Sequence, residues 1–163
     1  MKKLLVVAFM SIATLGSINA QEGVLNGGFN IGLPTGDYSD ISSLTIGAEL
    51  NYMFPVSEGF TLGPSIQYSH FFGKEFNGVD IDDSSFLPIS AAARFNISPM
   101  FVLGANLGYA VGLSPDGNEG GFYYRPVLGY KIGETTQLNL SYAGISRDGA
   151  SADNISIGVM FGI

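Results

Sequence analysis

Residues 44–68 read LTIGAELNYMF, PVSEG, FTLGPSIQY, and the side chains switch in size and polarity at every step. Leu44, Ile46, Ala48, Leu50, Tyr52 and Phe54 form one set, and Thr45, Gly47, Glu49, Asn51 and Met53 the other. A period of two is the strand period, because successive side chains leave opposite faces of an extended backbone. Pro55 to Gly59 reverse the chain. Phe60, Leu62, Pro64, Ile66 and Tyr68 then resume the apolar set against Thr61, Gly63, Ser65, Gln67 and Ser69. Two alternating runs across a short turn predict a β-hairpin.

The pattern extends in both directions. Upstream, Leu25, Phe29, Ile31 and Leu33 stand against Asn26, Gly28, Asn30 and Gly32. Downstream, the large members are Leu87 to Phe95, Phe101 to Val111, Phe122 to Ile132, Leu138 to Tyr142 and Ile155 to Ile163, each taken at every second residue. Eight strands of about ten residues result, the length that crosses a bilayer when tilted. Connections at Pro55–Gly59, Asn96–Pro99 and Gly133–Thr135 are short. Those at Pro34–Ser43, Phe72–Ser85, Ser114–Gly120 and Ser146–Asp153 are longer. Short turns at one end and long loops at the other are the pattern of an outer-membrane barrel, with the long loops outside the cell. An even strand number places both termini on the periplasmic side.

Composition agrees and excludes alternatives. Of 163 residues 23 are Gly, charged residues are 13%, and the net charge is −7. Twelve Phe and eight Tyr are too many aromatics for a disordered chain. An acidic chain is not a nucleic-acid binder. Without Cys there is neither a disulfide framework nor a cysteine zinc site. Lys2 and Lys3, the apolar run from Leu4 and the Asn19-Ala20 junction predict a secretory signal peptide over residues 1–20, leaving a barrel domain over 21–163. Loss of the two lysines takes the mature chain to −9.

Which face meets lipid follows from the smaller set. It is Gly, Ala, Ser, Thr, Asn and Gln with few charges, a poor water-exposed surface but a good filling for a narrow eight-stranded lumen. The larger set carries aromatics at both ends. Tyr52, Phe54, Phe60, Phe95, Phe101, Tyr130 and Phe161 lie beside short turns, and Tyr68, Tyr109, Phe122, Tyr124 and Tyr142 near long loops, with aliphatic residues between. Two aromatic girdles around an aliphatic band are what two lipid–water interfaces select. The predicted fold is all-β, an eight-stranded antiparallel up-and-down transmembrane β-barrel in the outer membrane. Pro64 and Pro126 fall inside strands of a sheet without edges and are expected to mark bulges, and Pro88 to sit at the outer rim.

On the signal peptide, the stretch from Phe29 to Asp37 (FNIGLPTGD) and the last strand Ile155 to Ile163, the chain resembles the small outer-membrane barrels of the OmpA/OmpX type. The resemblance implies insertion by the barrel-assembly machinery, which reads a terminal strand ending in an aromatic; here the last residue is Ile163. It also implies roles in envelope stability, adhesion or resistance to host defences, and in a few members lipid modification. No residues follow the last strand, so a peptidoglycan-binding domain is not expected.

Four charges share the inward set: Glu49, Arg94, Arg125 and Lys131. Glu49 and Arg125 fall near mid-strand, and an unpaired charge in a low-dielectric lumen is costly, so a lumen ion-pair network is expected. It would fill the bore; the alternative is a narrow pore for ions or small solutes. His70 is the single histidine and sits beside Ser69 near a long loop. Adjacent strand residues face opposite ways, so the two cannot form a nucleophile–base pair, and no catalytic residue, cofactor or metal is assigned. The long loops hold Asp37, Asp40, Glu75, Asp80, Asp82, Asp83, Asp116, Glu119, Asp148 and Asp153 against Lys74 and Arg147. The Asp80, Asp82, Asp83 cluster lacks EF-hand spacing. Expected partners are outer-membrane lipid and lipopolysaccharide, the latter through divalent cations, and the chain is expected to be a monomer. A transmembrane barrel resists detergent until heated: unboiled and boiled samples should migrate differently on a gel, and identical mobility would point to a soluble barrel instead.

Overall fold

A computed structural model describes residues 23–76, 79–147 and 149–163; the expected signal peptide lies outside them, as does Asp148. Among the described residues ten strands occur in order: β1 Val24–Thr35, β2 Ser42–Ser57, β3 Phe60–Gly73, β4 Glu75–Phe76, β5 Val79–Asp80, β6 Ser84–Asn96, β7 Phe101–Ser114, β8 Gly121–Lys131, β9 Thr136–Arg147 and β10 Ala150–Gly162. A single helical turn, α1 Tyr38–Ile41, follows β1. Eight strands close into one antiparallel barrel in the order β1, β10, β9, β8, β7, β6, β3, β2, and β4–β5 form a small separate hairpin within the second long loop.

Closure is made by β1 and β10, paired without interruption from Asn26↔Gly162 to Thr35↔Asp153. Alternation sorts the side chains as the period-two reading requires. Phe29, Leu33, Leu107 and Ile157 face outward and are 55–68% exposed, whereas Thr45, Glu49, Asn106 and Arg125 face the lumen and are at most 3% exposed. An exterior this apolar, with the polar residues inside, inverts the layout of a water-soluble barrel.

One of the four long connections is shorter than its sequence suggests. Ala150 pairs with Arg147 and Ser151 with Ser146, so Ser146–Asp153 is the tip of a tight hairpin rather than a loop. The polar residues there are strand residues extending beyond the apolar belt, which is why composition alone made them look like loop.

Pro64, Pro88 and Pro126, the three prolines marked from sequence, need no bulges. On the β3–β6 side Pro64 pairs in register with Ala91, Pro88 with Ala110 across β6–β7, and Pro126 with Ala105 across β7–β8. On its other side each proline leaves a two-residue lapse: Gly63–Pro64 against Tyr52–Met53, Leu87–Pro88 against Gln67–Tyr68, Arg125–Pro126 against Tyr142–Ala143. The register resumes unshifted beyond each lapse. Both missing pairings in each case depend on the N–H that proline lacks. The shifts that do occur, at Ser42/Leu44, Pro55/Ser57 and Ser85/Phe86, fall near strand ends. Pro88 is buried well inside β6 rather than at the rim. Restoring the donor with Pro126→Ala should raise unfolding free energy by about 1 kcal/mol; a lowered urea midpoint would show that the ring's rigidity matters more than the bond.

Candidate functional site

The lumen is organised around the Glu49 carboxylate on β2. Arg125 Nη1 from β8 donates to its Oε2 at 2.5 Å. Ser65 Oγ at 2.8 Å, Asn51 Nδ2 at 3.1 Å and Asn106 Nδ2 at 3.1 Å all donate to Oε1. Arg94 Nη2 stands 3.8 Å from the same oxygen. Arg125 also donates from Nη1 to Gln67 Oε1 at 2.7 Å and from Nε to Ser141 Oγ at 3.0 Å, which contacts Ser156 Oγ at 2.9 Å. Asn26 Nδ2 donates to Asn51 Oδ1 at 2.9 Å. Through these residues all eight barrel strands meet in one polar layer. A buried ion pair tolerates its desolvation when its other donors and acceptors find partners; both Glu49 oxygens and the Arg125 Nε and Nη1 do so, while Asn106 Oδ1 is buried without one.

Arg94 reaches this layer because its neighbour on β7 is Gly104: any Cβ there would collide with the Arg94 side chain. Its Nη1 donates to the carbonyls of Ala93 at 2.9 Å and Ala105 at 3.3 Å. Lys131 does not join the network. It lies six residues beyond Arg125 on β8, about 20 Å along an extended chain, and makes no ion pair within 4 Å among the described residues. Gln67, Ser65, Asn106 and Tyr123 were not singled out from sequence, although their inward parity at the depth of Glu49 was a usable signal. Tyr123 is buried and donates its hydroxyl to Gln67 Oε1 at 3.1 Å.

Toward the long loops the lumen is not polar, contrary to the expectation from its small residues. Phe71, Phe86, Ala110, Tyr123, Ala143, Ile145 and Ala152 form a buried apolar cluster. Tyr38 of α1 packs on it from the mouth, edge-on to Phe71 at 5.2 Å between ring centres. Phe71, Phe86, Tyr123 and Ile145 are among the few large residues with inward parity, which a reading by average character passes over.

Outside, the aromatics fall at matching levels. Phe60 faces Phe95 and Phe101 faces Tyr130 near the short turns, while Tyr109 faces Phe122 near the long loops. Tyr52 touches Phe54, and Phe122, Tyr124 and Tyr142 form a row. Tyr68 and Phe161 complete the two ends on the same outward face.

His70 also faces outward. Its Nε2 lies 3.1 Å from Asp83 Oδ2 and its Nδ1 3.3 Å from the Tyr68 hydroxyl. Ser69 points into the lumen and takes a hydrogen bond from Gln67 Nε2 at 2.9 Å, so it does not adjoin the imidazole. The Gly73 N–H donates to Asp83 Oδ1 at 2.8 Å. That bond, reinforced by His70, holds the Asp83 carboxyl below its ordinary pKa. Both Asp83 oxygens are thereby engaged, and no group of three metal-ligating side chains converges among the described residues. Glu119 pairs with Arg147 at 2.8 Å, and Asp153 is buried beneath Tyr124 and Ser151.

The outer membrane protein beta-barrel domain family matches residues 4–162. The chain belongs to that family. Its place is therefore the outer membrane. No curated protein matches it. Among solved structures it is similar to the attachment invasion locus protein Ail of Yersinia pestis, with TM-score 0.61 and 16% identity over 88% of this chain and 100% of that one. The N-terminal barrel of Pseudomonas aeruginosa OprF gives 0.55 and 14% over 88% and 98%. Neisserial surface protein A gives 0.52 and 14% over 89% and 99%. At these identities the likeness is one of fold.

Removing the hub strands the buried Arg125 guanidinium and takes from Arg94 its nearest carboxylate. Glu49→Ala should cost about 3–5 kcal/mol of unfolding free energy in urea, while Lys131→Ala should stay within about 0.5 kcal/mol. Equal effects of the two would remove Glu49 from the centre of the layer.

Proposed function

We propose that the protein is a non-enzymatic outer-membrane scaffold, closed along its bore, that supports envelope integrity or surface interaction through acidic loops outside the cell. Both termini then face the periplasm. The observation that carries this reading is the filling of the bore: the Glu49–Arg125 layer draws on all eight strands, and the Phe71–Phe86–Ile145 cluster lies above it. An eight-stranded interior is just wide enough for side chains, so ordered groups at two successive levels leave no continuous water path.

The work then falls to the loops. Asp37, Asp40, Glu75, Asp80, Asp82 and Asp116 are exposed and form no ion pair within 4 Å among the described residues. Loops on a rigid scaffold are where recognition usually resides. The outer leaflet is anionic, so these carboxylates sit stably among its headgroups when divalent cations bridge the two.

Two measurements test the reading. The refolded chain, shown folded by its gel shift, should pass no current in a planar bilayer, and steady discrete openings would overturn the closed bore. In lipopolysaccharide, chelator should lower the melting temperature of the native chain but not of a variant with Asp80, Asp82 and Asp116 changed to Asn. An unchanged melting temperature for the native chain would overturn cation bridging.

A further inference from the structure

The charge inside the barrel does not balance. Glu49 is the one carboxylate among the described lumen residues between the two mouths, against Arg94, Arg125 and Lys131. Arg125 takes up the Glu49 charge at contact distance. Two cations are left over, within a chain whose net charge is −7. Such an excess runs against composition and so calls for a local reason.

Both surplus cations border one space. A cavity of about 300 Å³ opens at the short-turn end of the lumen, below the Glu49 layer. Arg94 and Lys131 line it with the amides of Asn26, Asn51, Asn96 and Gln137, and no acidic residue lines it. Met53, Val102 and Met160 supply apolar wall. Arg94 spends Nη1 on two backbone carbonyls, and its Nη2 is 3.8 Å from the nearest carboxylate oxygen, beyond hydrogen-bond length. A guanidinium carries five N–H donors in a planar fork matched to oxyanions. Lys131 adds a mobile ammonium with no carboxylate within 4 Å among the described residues.

We propose that this vestibule binds a small free oxyanion, phosphate or a short carboxylate. Arg94 is the fixed donor, Lys131 the flexible counter-charge, and the amides complete the cage. The closed sheet separates the cavity from the bilayer, so a lipid headgroup cannot reach it from the side. The volume, at the lower end of ligand pockets, suits a small anion better than a nucleotide or glycan chain. The site is independent of the loops and of whether the bore conducts.

Inorganic phosphate is the probe. It is titrated into the ¹⁵N-labelled refolded chain in a maltoside detergent at constant ionic strength, with chloride as balance, and amide shifts are followed. The proposal expects saturable shifts confined to Asn26, Asn51, Arg94, Asn96, Lys131 and Gln137. Lys131→Met should keep the folded gel mobility and weaken phosphate about tenfold, the equivalent of ~1.4 kcal/mol, and Lys131→Arg should restore it. Non-saturating shifts, shifts spread over the long loops, or equal affinity in Lys131→Met would each overturn it. A short-chain phosphatidylglycerol that shifted the same six amides as strongly would overturn the assignment to a free anion.

Discussion

Within a bilayer there is no water to take a stray N–H or C=O, so the sheet that crosses it must end where it began. The unbroken pairing of β1 with β10, from Asn26↔Gly162 to Thr35↔Asp153, meets that requirement. Everything else in the molecule follows from closing with eight strands. The circumference sets an interior just wide enough for side chains to fill, so the inward residues have to pack. The outward residues have to satisfy lipid, which accounts for apolar side chains as exposed as Phe29 at 68% and Ile157 at 63%.

The same requirement explains how prolines are tolerated in a sheet with no edge. Pro64, Pro88 and Pro126 each forgo one N–H donor toward one neighbour while keeping full register with the other. A bulge would have shifted every side chain beyond it to the opposite face, exchanging lipid-facing for lumen-facing groups. One missing hydrogen bond is the smaller loss. The register beyond each proline is kept because both faces of the strand are committed.

Inside, burial converts polarity into architecture. An isolated carboxylate at the depth of Glu49 would be untenable, but with Arg125, Ser65, Asn51 and Asn106 it becomes the point where distant parts of the chain meet. Gly104 shows how far the fit extends, since the space over its missing side chain is taken by Arg94. Below this layer the lumen holds cations without matching anions, and above it large apolar groups close ranks under Tyr38. The bore thus has three chemically distinct levels, although its lining reads as one small polar set in sequence.

How much was legible depends on whether a property is local. Strand number, the inward or outward direction of each residue, the aromatic ends and the mid-strand match of Glu49 with Arg125 all follow from period two and turn positions, which are properties of adjacent residues. They were readable from the sequence by itself. Whether a polar stretch is loop or extended hairpin, as at Ser146–Asp153, depends on pairing with a neighbour. So do the exclusion of Lys131 from the ion network, the recruitment of Tyr123 and Gln67, and the gathering of Phe71, Phe86 and Ile145 from β3, β6 and β9 into one cluster. These were decided only by the tertiary structure, because closure sets the stagger between strands, and the stagger determines which inward residues lie at the same depth.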